Sequence, residues 1–102
     1  MAIDRYVFVK LAAEAATPAS REEIAAYTRE ALGALPGVQA VRVGVPADAA
    51  ATASWDLSIV VTFARIEDVE PYRVHPLHRA YVDEYLAPRT VVIKAWNFDT
   101  AA

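Results

Sequence analysis

The alternation of apolar and polar side chains predicts four β-strands. The clearest lies in SWDLSIVVTF, residues 54–63, where large apolar residues occupy every second position from Trp55 to Phe63. Short runs rich in β-branched and aromatic residues predict three more strands, at residues 5–11, 38–45 and 90–98. The segment PADAAATAS, residues 46–54, is of low complexity and predicts a loop before the third strand.

Between the first two strands the apolar spacing becomes helical. Residues 17–35 are predicted to form a helix, because apolar residues recur there at the spacing that brings them to one side of a helix. These residues are Ile24, Tyr27, Ala31, Leu32 and Leu35. Ser20 followed by Glu23 predicts a capping box at the helix start, although Thr17 and Pro18 offer an earlier start. The Pro36-Gly37 pair predicts its end.

A second helical region precedes the last strand. Because proline is tolerated only near the start of a helix, Pro71 and Pro76 divide it into a short helix from about Asp68 and a second helix from Pro76 to about Leu86. The order β-α-β-β-α-β predicts an α+β, ferredoxin-like fold with an antiparallel sheet and helices on one face. At 102 residues the chain is expected to form one domain, residues 1–102.

Strand periodicity assigns residues to the two faces of this sheet. The face toward the helices is expected to carry Val7, Val9, Leu11, Val41, Val43, Leu57, Ile59, Val61, Phe63, Val91, Ile93 and Ala95. The opposite face holds more large apolar side chains than a solvated face should, and therefore predicts a homodimer. Its predicted interface residues are Tyr6, Phe8, Val60, Val92, Trp96 and Phe98. The alternative is a monomer with scattered surface aromatics.

Composition narrows the function classes. The net charge of −3 and the lack of a basic stripe argue against nucleic-acid binding, and the apolar runs are too short to span a membrane. The N-terminal sequence MAIDRYVFVKL shows no basic leader or cleavage site, so a cytoplasmic protein is expected. There is no cysteine, which excludes disulfides and thiol catalysis.

The richest chemistry lies in VEPYRVHPLHRAYVDEYL, residues 69–86. Pro76 biases His75 away from helical backbone angles, which predicts His75 before the helix or at its N-cap. His78 then falls in the first turn, where the helix dipole should keep the imidazole neutral and able to accept a proton. Tyr72 is placed to polarise a carbonyl group or to hydrogen-bond this imidazole.

These side chains are expected to share an apolar pocket that suits a small hydrophobic or aromatic molecule. The pocket is predicted to be lined by Val7, Val9, Tyr27, Leu57, Ile59, Val61, Tyr81, Tyr85 and Ile93. Two alternatives stay open. Tyr72 and His78 can simply satisfy each other and nearby backbone groups, or HPLH can contribute to a metal site, although zinc needs at least three convergent ligands.

The chain resembles the stress-responsive A/B barrel (Dabb) family over nearly its whole length. The resemblance rests on YVFVKL, LPGV, VRVGV, WDLSIVVTF and above all YRVHPLHRAYV, which matches the family's Tyr-x-x-His-Pro-x-His pattern. It implies a ferredoxin-like protomer that pairs through its sheet as a dimeric α+β barrel. Because most members have no known activity, it defines the fold better than the function.

Within the family, the chain is distantly similar to olivetolic acid cyclase-type polyketide cyclases. That resemblance implies His78 as general base and Tyr72 as its partner, with no metal or organic cofactor. Three positions differ from that branch and are expected to alter substrate contacts, since Arg5, Leu57 and Asn97 replace two histidines and an acid. Together with His75 they complete the predicted substrate-binding set. A cofactor-free cyclase or lyase, a cofactor-independent monooxygenase and a non-catalytic stress-associated dimer all remain open.

Overall fold

The chain folds in the predicted β-α-β-β-α-β order, and the α+β, ferredoxin-like fold is confirmed. The computed structural model describes residues 2–101. The strands are β1 (Ile3–Leu11), β2 (Ala40–Gly44), β3 (Leu57–Phe63) and β4 (Thr90–Asp99). The α-helices are α1 (Pro18–Gly33), α2 (Ala49–Ser54), α3 (Val69–Val74) and α4 (Pro76–Ala80). Short 3₁₀ turns cover Ala13–Ala15, Ile66–Asp68 and Ala87–Arg89.

The four strands form one antiparallel sheet in the order β2-β3-β1-β4. Strand β1 is central and pairs with both β3 and β4, so that Arg5 lies opposite Val61 and Asn97. Tyr6, one residue later, lies opposite Val60 and Trp96. Since alternate residues of a strand point to opposite faces, Val61 lies on one face and Tyr6, Val60 and Trp96 lie on the other, as predicted.

The core lies between one face of the sheet and the helices. On this helix-side face, Val9, Val61 and Phe63 are completely buried and pack against Ile24 and Leu32 of α1. Full burial of each such side chain contributes about 1.5–3 kcal/mol. Residues of α3 and of the segment after α4 complete the cluster. The helices therefore cover most, but not all, of this face.

Helix α1 begins earlier than the capping-box prediction placed it. Thr17 is the N-cap, because its Oγ1 accepts a hydrogen bond from the Ser20 N–H at 3.1 Å, and Pro18 occupies the first helical position. The predicted Ser20–Glu23 capping box is therefore wrong, and the earlier start is correct. Proline has no N–H to satisfy and a backbone angle suited to a first turn, which favours this start.

Two further expectations are wrong. The predicted loop at residues 46–54 contains α2, because Asp48 caps it by accepting from the Ala51 N–H at 2.8 Å and its alanines favour helix. Val91, expected on the helix-side face, is 68% exposed. The pairing of β1 with β4 shifts register between Lys10 and Leu11, and Val91 lies at this irregularity.

The helical region before β4 contains an unexpected change of geometry. Helix α4 passes into a π-helical segment, Tyr81–Leu86, which we call the π-turn. At its end the Ala87 N–H donates to the Val82 carbonyl, five residues earlier, which is the hydrogen-bond spacing of a π-helix. Within the described part of the chain, no helix has the length and apolarity needed to cross a membrane.

Candidate functional site

A cleft of about 180 Å³ opens between the helix-side face of the sheet and the helices before β4. A cavity of about 150 Å³ holds benzene in an engineered protein, so this cleft has the size of a molecule with one ring. Its lining combines an apolar wall with a histidine, two tyrosines and three arginines. The lining residues are Arg5, Val7, Leu32, Ile59, Tyr72, Arg73, His78, Arg79, Tyr81, Val82, Leu86, Ile93 and Ala95.

The junction between α3 and α4 positions the histidine of the cleft. His75 is the N-cap of α4, and its Nδ1 accepts a hydrogen bond from the Leu77 N–H at 3.1 Å, as predicted. Pro76 follows as the first helical residue. Helix α3 therefore ends and α4 begins at two adjacent residues, His75 and Pro76. The result is that His78 faces the cleft while His75 does not line it.

The hydrogen bond of His78 defines its tautomer. Its Nδ1 lies 3.0 Å from the Arg73 carbonyl oxygen. A carbonyl oxygen can only accept, so Nδ1 carries the proton and donates. In the neutral ring the lone pair is therefore on Nε2, the nitrogen that can accept a proton from a bound molecule.

The surroundings of His78 favour this neutral form. Burial is the main cause that lowers the pKa of His78, and the charges of Arg79, Arg5 and Arg73 lower it further. The hydrogen bond to the Arg73 carbonyl acts in the opposite direction. A neutral imidazole was expected from the helix dipole, but the main physical cause is the loss of hydration.

Tyr72 packs against His78 instead of bonding to it. Its side chain is 3% exposed, and its ring centroid lies 4.4 Å from that of His78 and 5.0 Å from that of Phe63. Burial raises the pKa of Tyr72 well above its ordinary value, while the nearby charge of Arg5 opposes this shift. The phenol is therefore protonated at neutral pH and can donate a hydrogen bond into the cleft.

Arg5 brings a positive charge to the same cleft from β1. Its Nη1 donates to Asn97 Oδ1 at 3.0 Å, across the β1–β4 pair. Burial is the main cause that lowers the pKa of Arg5. Arg5 and Asn97 also border a neighbouring groove that Glu70 and Arg73 complete.

The structure separates the predicted pocket residues into three groups. Seven of them line the cleft: Arg5, Val7, Ile59, Tyr72, His78, Tyr81 and Ile93. Val9, Leu57 and Val61 point to the same face but are sealed in the core. Tyr27, expected on the buried side of α1, is 45% exposed and packs against Tyr85 outside the cleft, with 4.0 Å between ring centroids and 39° between the ring planes.

Sequence reasoning missed six lining residues: Leu32, Arg73, Arg79, Val82, Leu86 and Ala95. Two of these had a signal, since Arg73 follows Tyr72 directly and Arg79 follows His78. Val82 and Leu86 had none, because the wide spacing of the π-turn determines which of its residues face the cleft. In residues 2–101, no three His, Asp or Glu side chains converge as metal ligands would.

The opposite face of the sheet, which we call the outer face, is apolar and uncovered. Trp96 is 50% exposed and Phe98 is 55% exposed. Tyr6 contacts Phe98 edge to face, with 5.7 Å between ring centroids. Together with Phe8 these residues border an open groove of about 460 Å³.

The fold is similar to that of several solved structures. A dimeric ferredoxin-like protein of unknown function from Thermobifida fusca shares 22% identity, with a TM-score of 0.77 over 96% of this chain and 90% of that one. A hydroxynitrile lyase from Passiflora edulis shares 15% identity, with a TM-score of 0.76 over 95% of this chain and 91% of that one. A mutant of a cofactor-independent oxygenase from Streptomyces nogalater shares 11% identity, with a TM-score of 0.74 over 99% of this chain and 94% of that one.

No curated protein sequence matches the chain. The sequence profile of the stress responsive A/B barrel domain matches residues 3–97, almost the whole chain. This match agrees with the four-stranded antiparallel sheet and with relatives that are described as dimeric. The chain belongs to the stress responsive A/B barrel, or Dabb, family.

Proposed function

We propose that this protein is a homodimer that binds a small aromatic or β-keto compound and removes a proton from a carbon next to a carbonyl group. The observation that carries this proposal is His78. Its imidazole faces the cleft, its Nδ1 is held by a backbone carbonyl, and its pKa is lowered. Such a histidine is neutral at physiological pH and presents Nε2 as a general base.

The remaining polar groups of the cleft suit the same chemistry. When Nε2 takes the proton, the C–H bonding electrons move into the substrate and leave an enolate with negative charge on oxygen. The protonated phenol of Tyr72 can donate to that oxygen, and the guanidinium of Arg5 can stabilise its charge. In a cyclase reaction the enolate carbon bonds to a second carbonyl carbon of the same molecule, and the imidazolium of His78 gives its proton to the alkoxide that forms. In a lyase reaction the enolate expels a leaving group from its β-carbon, and the imidazolium protonates that group. Neither reaction needs a cofactor.

The fold is compatible with lyase chemistry but does not select it over other reactions. Similar structures include a hydroxynitrile lyase and a cofactor-independent oxygenase, so the same sheet and helices accommodate a lyase in one protein and an oxygenase in another. The size of the cleft favours a compact substrate with one ring over a long chain. Dimerisation is supported by the apolar outer face and by the dimeric relatives.

The test is hydrogen–deuterium exchange at the α-carbon of a panel of aromatic ketones and β-keto acids, followed by proton NMR in deuterated water. His78→Gln should slow the protein-dependent exchange by about 10²–10⁴-fold, the usual contribution of a general base. His75→Asn is the matched control, because it removes the other imidazole while asparagine preserves the N-cap of α4.

Equal rates for wild type and His78→Gln would overturn the assignment of His78 as base. Binding that is saturable but without exchange would indicate a non-catalytic binder. Oxygen consumption that depends on the protein would indicate a monooxygenase instead. The first outcome removes the role of His78 as the base, and each of the other two replaces the proposed function with a different function class.

A further inference from the structure

Arg5 differs from the other arginines of the cleft in its partners. Arg73 pairs with Glu70 at 2.6 Å, and Arg79 pairs with Asp83 at 2.6 Å. Arg5 forms no ion pair within the described part of the chain, and its side-chain hydrogen bond goes to the neutral amide of Asn97. Its positive charge therefore has no bonded counterion.

The cleft offers Arg5 no carboxylate. Among the described residues that line it there is no aspartate and no glutamate. Glu70 lies close enough to favour the charged form of Arg5, but its carboxylate is bonded to Arg73. The cleft thus combines three guanidinium groups with an apolar wall and lacks an internal anion.

The geometry of Arg5 leaves donors free for a ligand. A guanidinium has five N–H donors in a planar fork, and the Asn97 bond uses one of them. Arg5 is partly buried, so its charge loses hydration without gaining an ionic partner. A planar carboxylate would compensate for the lost hydration, because it can accept two parallel hydrogen bonds from the guanidinium of Arg5.

We propose that the substrate of the cleft is a carboxylic acid of about one-ring size, whose carboxylate is bound by Arg5. This inference rests on the proposed function, and it names the substrate class of the same site. It assigns Arg5 as the specificity-determining residue. Because the charge of Arg5 acts on both Tyr72 and His78, a carboxylate bound by Arg5 places the neighbouring carbons of the molecule beside these two side chains.

Binding of the carboxylate also affects the base. In the free protein the three arginines help to lower the pKa of His78. A bound anion beside them offsets part of their field, so the pKa of His78 rises in the complex and the imidazole becomes a stronger base. The apparent pKa of the base should therefore be higher in the complex than in the free protein.

The test compares two probes of nearly equal shape, benzoate and benzamide, by titration of the isotopically labelled protein followed by NMR. Wild type should bind benzoate at least about tenfold more tightly than benzamide, because the hydrogen bonds to Arg5 are charge-assisted. Arg5→Gln should bring the two affinities close together, because benzoate loses a charge-assisted contact and benzamide at most a neutral one. Arg5→Lys should keep part of the preference, since it retains the charge but loses the fork.

Arg65→Gln is the matched control, because it removes an exposed arginine that is paired with Asp68 and does not line the cleft. It should leave the preference for benzoate unchanged. If Arg5→Gln fails to fold, the wild-type preference is tested at low and high salt, where screening should reduce it.

Equal wild-type affinities for benzoate and benzamide would overturn the carboxylate inference and leave the proposed function intact. A preference for phenyl phosphate over benzoate would overturn it as well, in favour of a phosphate ligand. If neither probe shifts the amide signals around Tyr72 and His78, the cleft does not bind one-ring molecules. Both proposals then fail together.

Discussion

The two faces of one sheet carry different kinds of apolar surface. On the helix-side face, alternate residues of β3 are buried against the helices of the same chain. On the outer face, Trp96 and Phe98 are large apolar residues as well, but no helix of the chain covers them. The polar groups of the cleft lie only on the first face.

This difference separates two roles within a thin protein. The helix-side face combines the core with a small uncovered area, and that area is where Arg5, Tyr72 and His78 meet. The outer face presents exposed aromatic side chains, with the charged residues Asp4, Lys10, Arg42 and Lys94 also on it. A substitution on the helix-side face should therefore affect stability and ligand binding, whereas a substitution on the outer face should affect dimerisation.

The largest effect is expected from Phe63→Ala on the helix-side face. It should lower the free energy of unfolding by about 3–5 kcal/mol, since it leaves a cavity in a completely buried site. Urea denaturation at low protein concentration measures this loss. The control is Val60→Ala on the outer face of the same strand, which should cost about 1 kcal/mol or less. Equal losses would show that the two faces are equally buried in the protomer.

The next effect is expected from Trp96→Lys, which should weaken dimerisation by about 2–4 kcal/mol because a charge enters the apolar interface from each protomer. Light scattering after size-exclusion chromatography measures the dimer fraction. Leu77→Lys is the control, since Leu77 is also an exposed apolar residue but lies on α4 and not on the sheet. A wild-type protein that is monomeric at micromolar concentration would contradict the proposed homodimer.

A moderate effect is expected where α1 meets the π-turn. The hydroxyls of Thr28 and Tyr81 form a buried hydrogen bond at 2.6 Å. Thr28→Val should cost about 1–3 kcal/mol because it leaves the tyrosine hydroxyl without this partner. Adding Tyr81→Phe should recover much of that loss, since both polar groups are then gone. Additive losses in a double-mutant cycle, measured by urea denaturation, would contradict this coupling.

The smallest effect is the pH dependence caused by His78. Because its folded-state pKa is lowered, the unfolded chain binds the proton more readily at acidic pH. The contribution of His78 to stability should therefore be constant above the ordinary histidine pKa of about 6.5, fall as the pH drops from there toward the lowered value, and level off below that value. His78→Gln should flatten this part of the profile in urea titrations at a series of pH values. An unchanged profile would mean that other groups cause it.

The sequence predicts the faces of the sheet better than the boundary of the cleft. Alternation correctly assigned Val7 and Val9 to one face and Tyr6 and Phe8 to the other, because a strand has a fixed period of two. Alternation does not predict how deeply each side chain on a face is buried. Val7 lines the cleft whereas Val9 is sealed in the core, and the difference depends on where the helices leave the sheet uncovered.

Local signals also compete in ways that spacing alone does not resolve. The Ser20–Glu23 pair has the form of a capping box, yet Thr17 and Pro18 begin the helix. The π-turn has no sequence signature of its own, and it determines how Val82 and Leu86 reach the cleft. The junction at His75 was predictable because proline restricts both itself and the residue before it.

The central position of β1 limits how this chain can change in length. Since β1 pairs on both edges, deleting one residue within it would exchange its two faces and move Tyr6 and Phe8 toward the helices, with Arg5 toward the outer face. Such a deletion would disrupt both the cleft and the outer face. Residues 47–54, between β2 and β3, are mostly exposed and have no such double role, so insertions and deletions should be tolerated there and absent from β1.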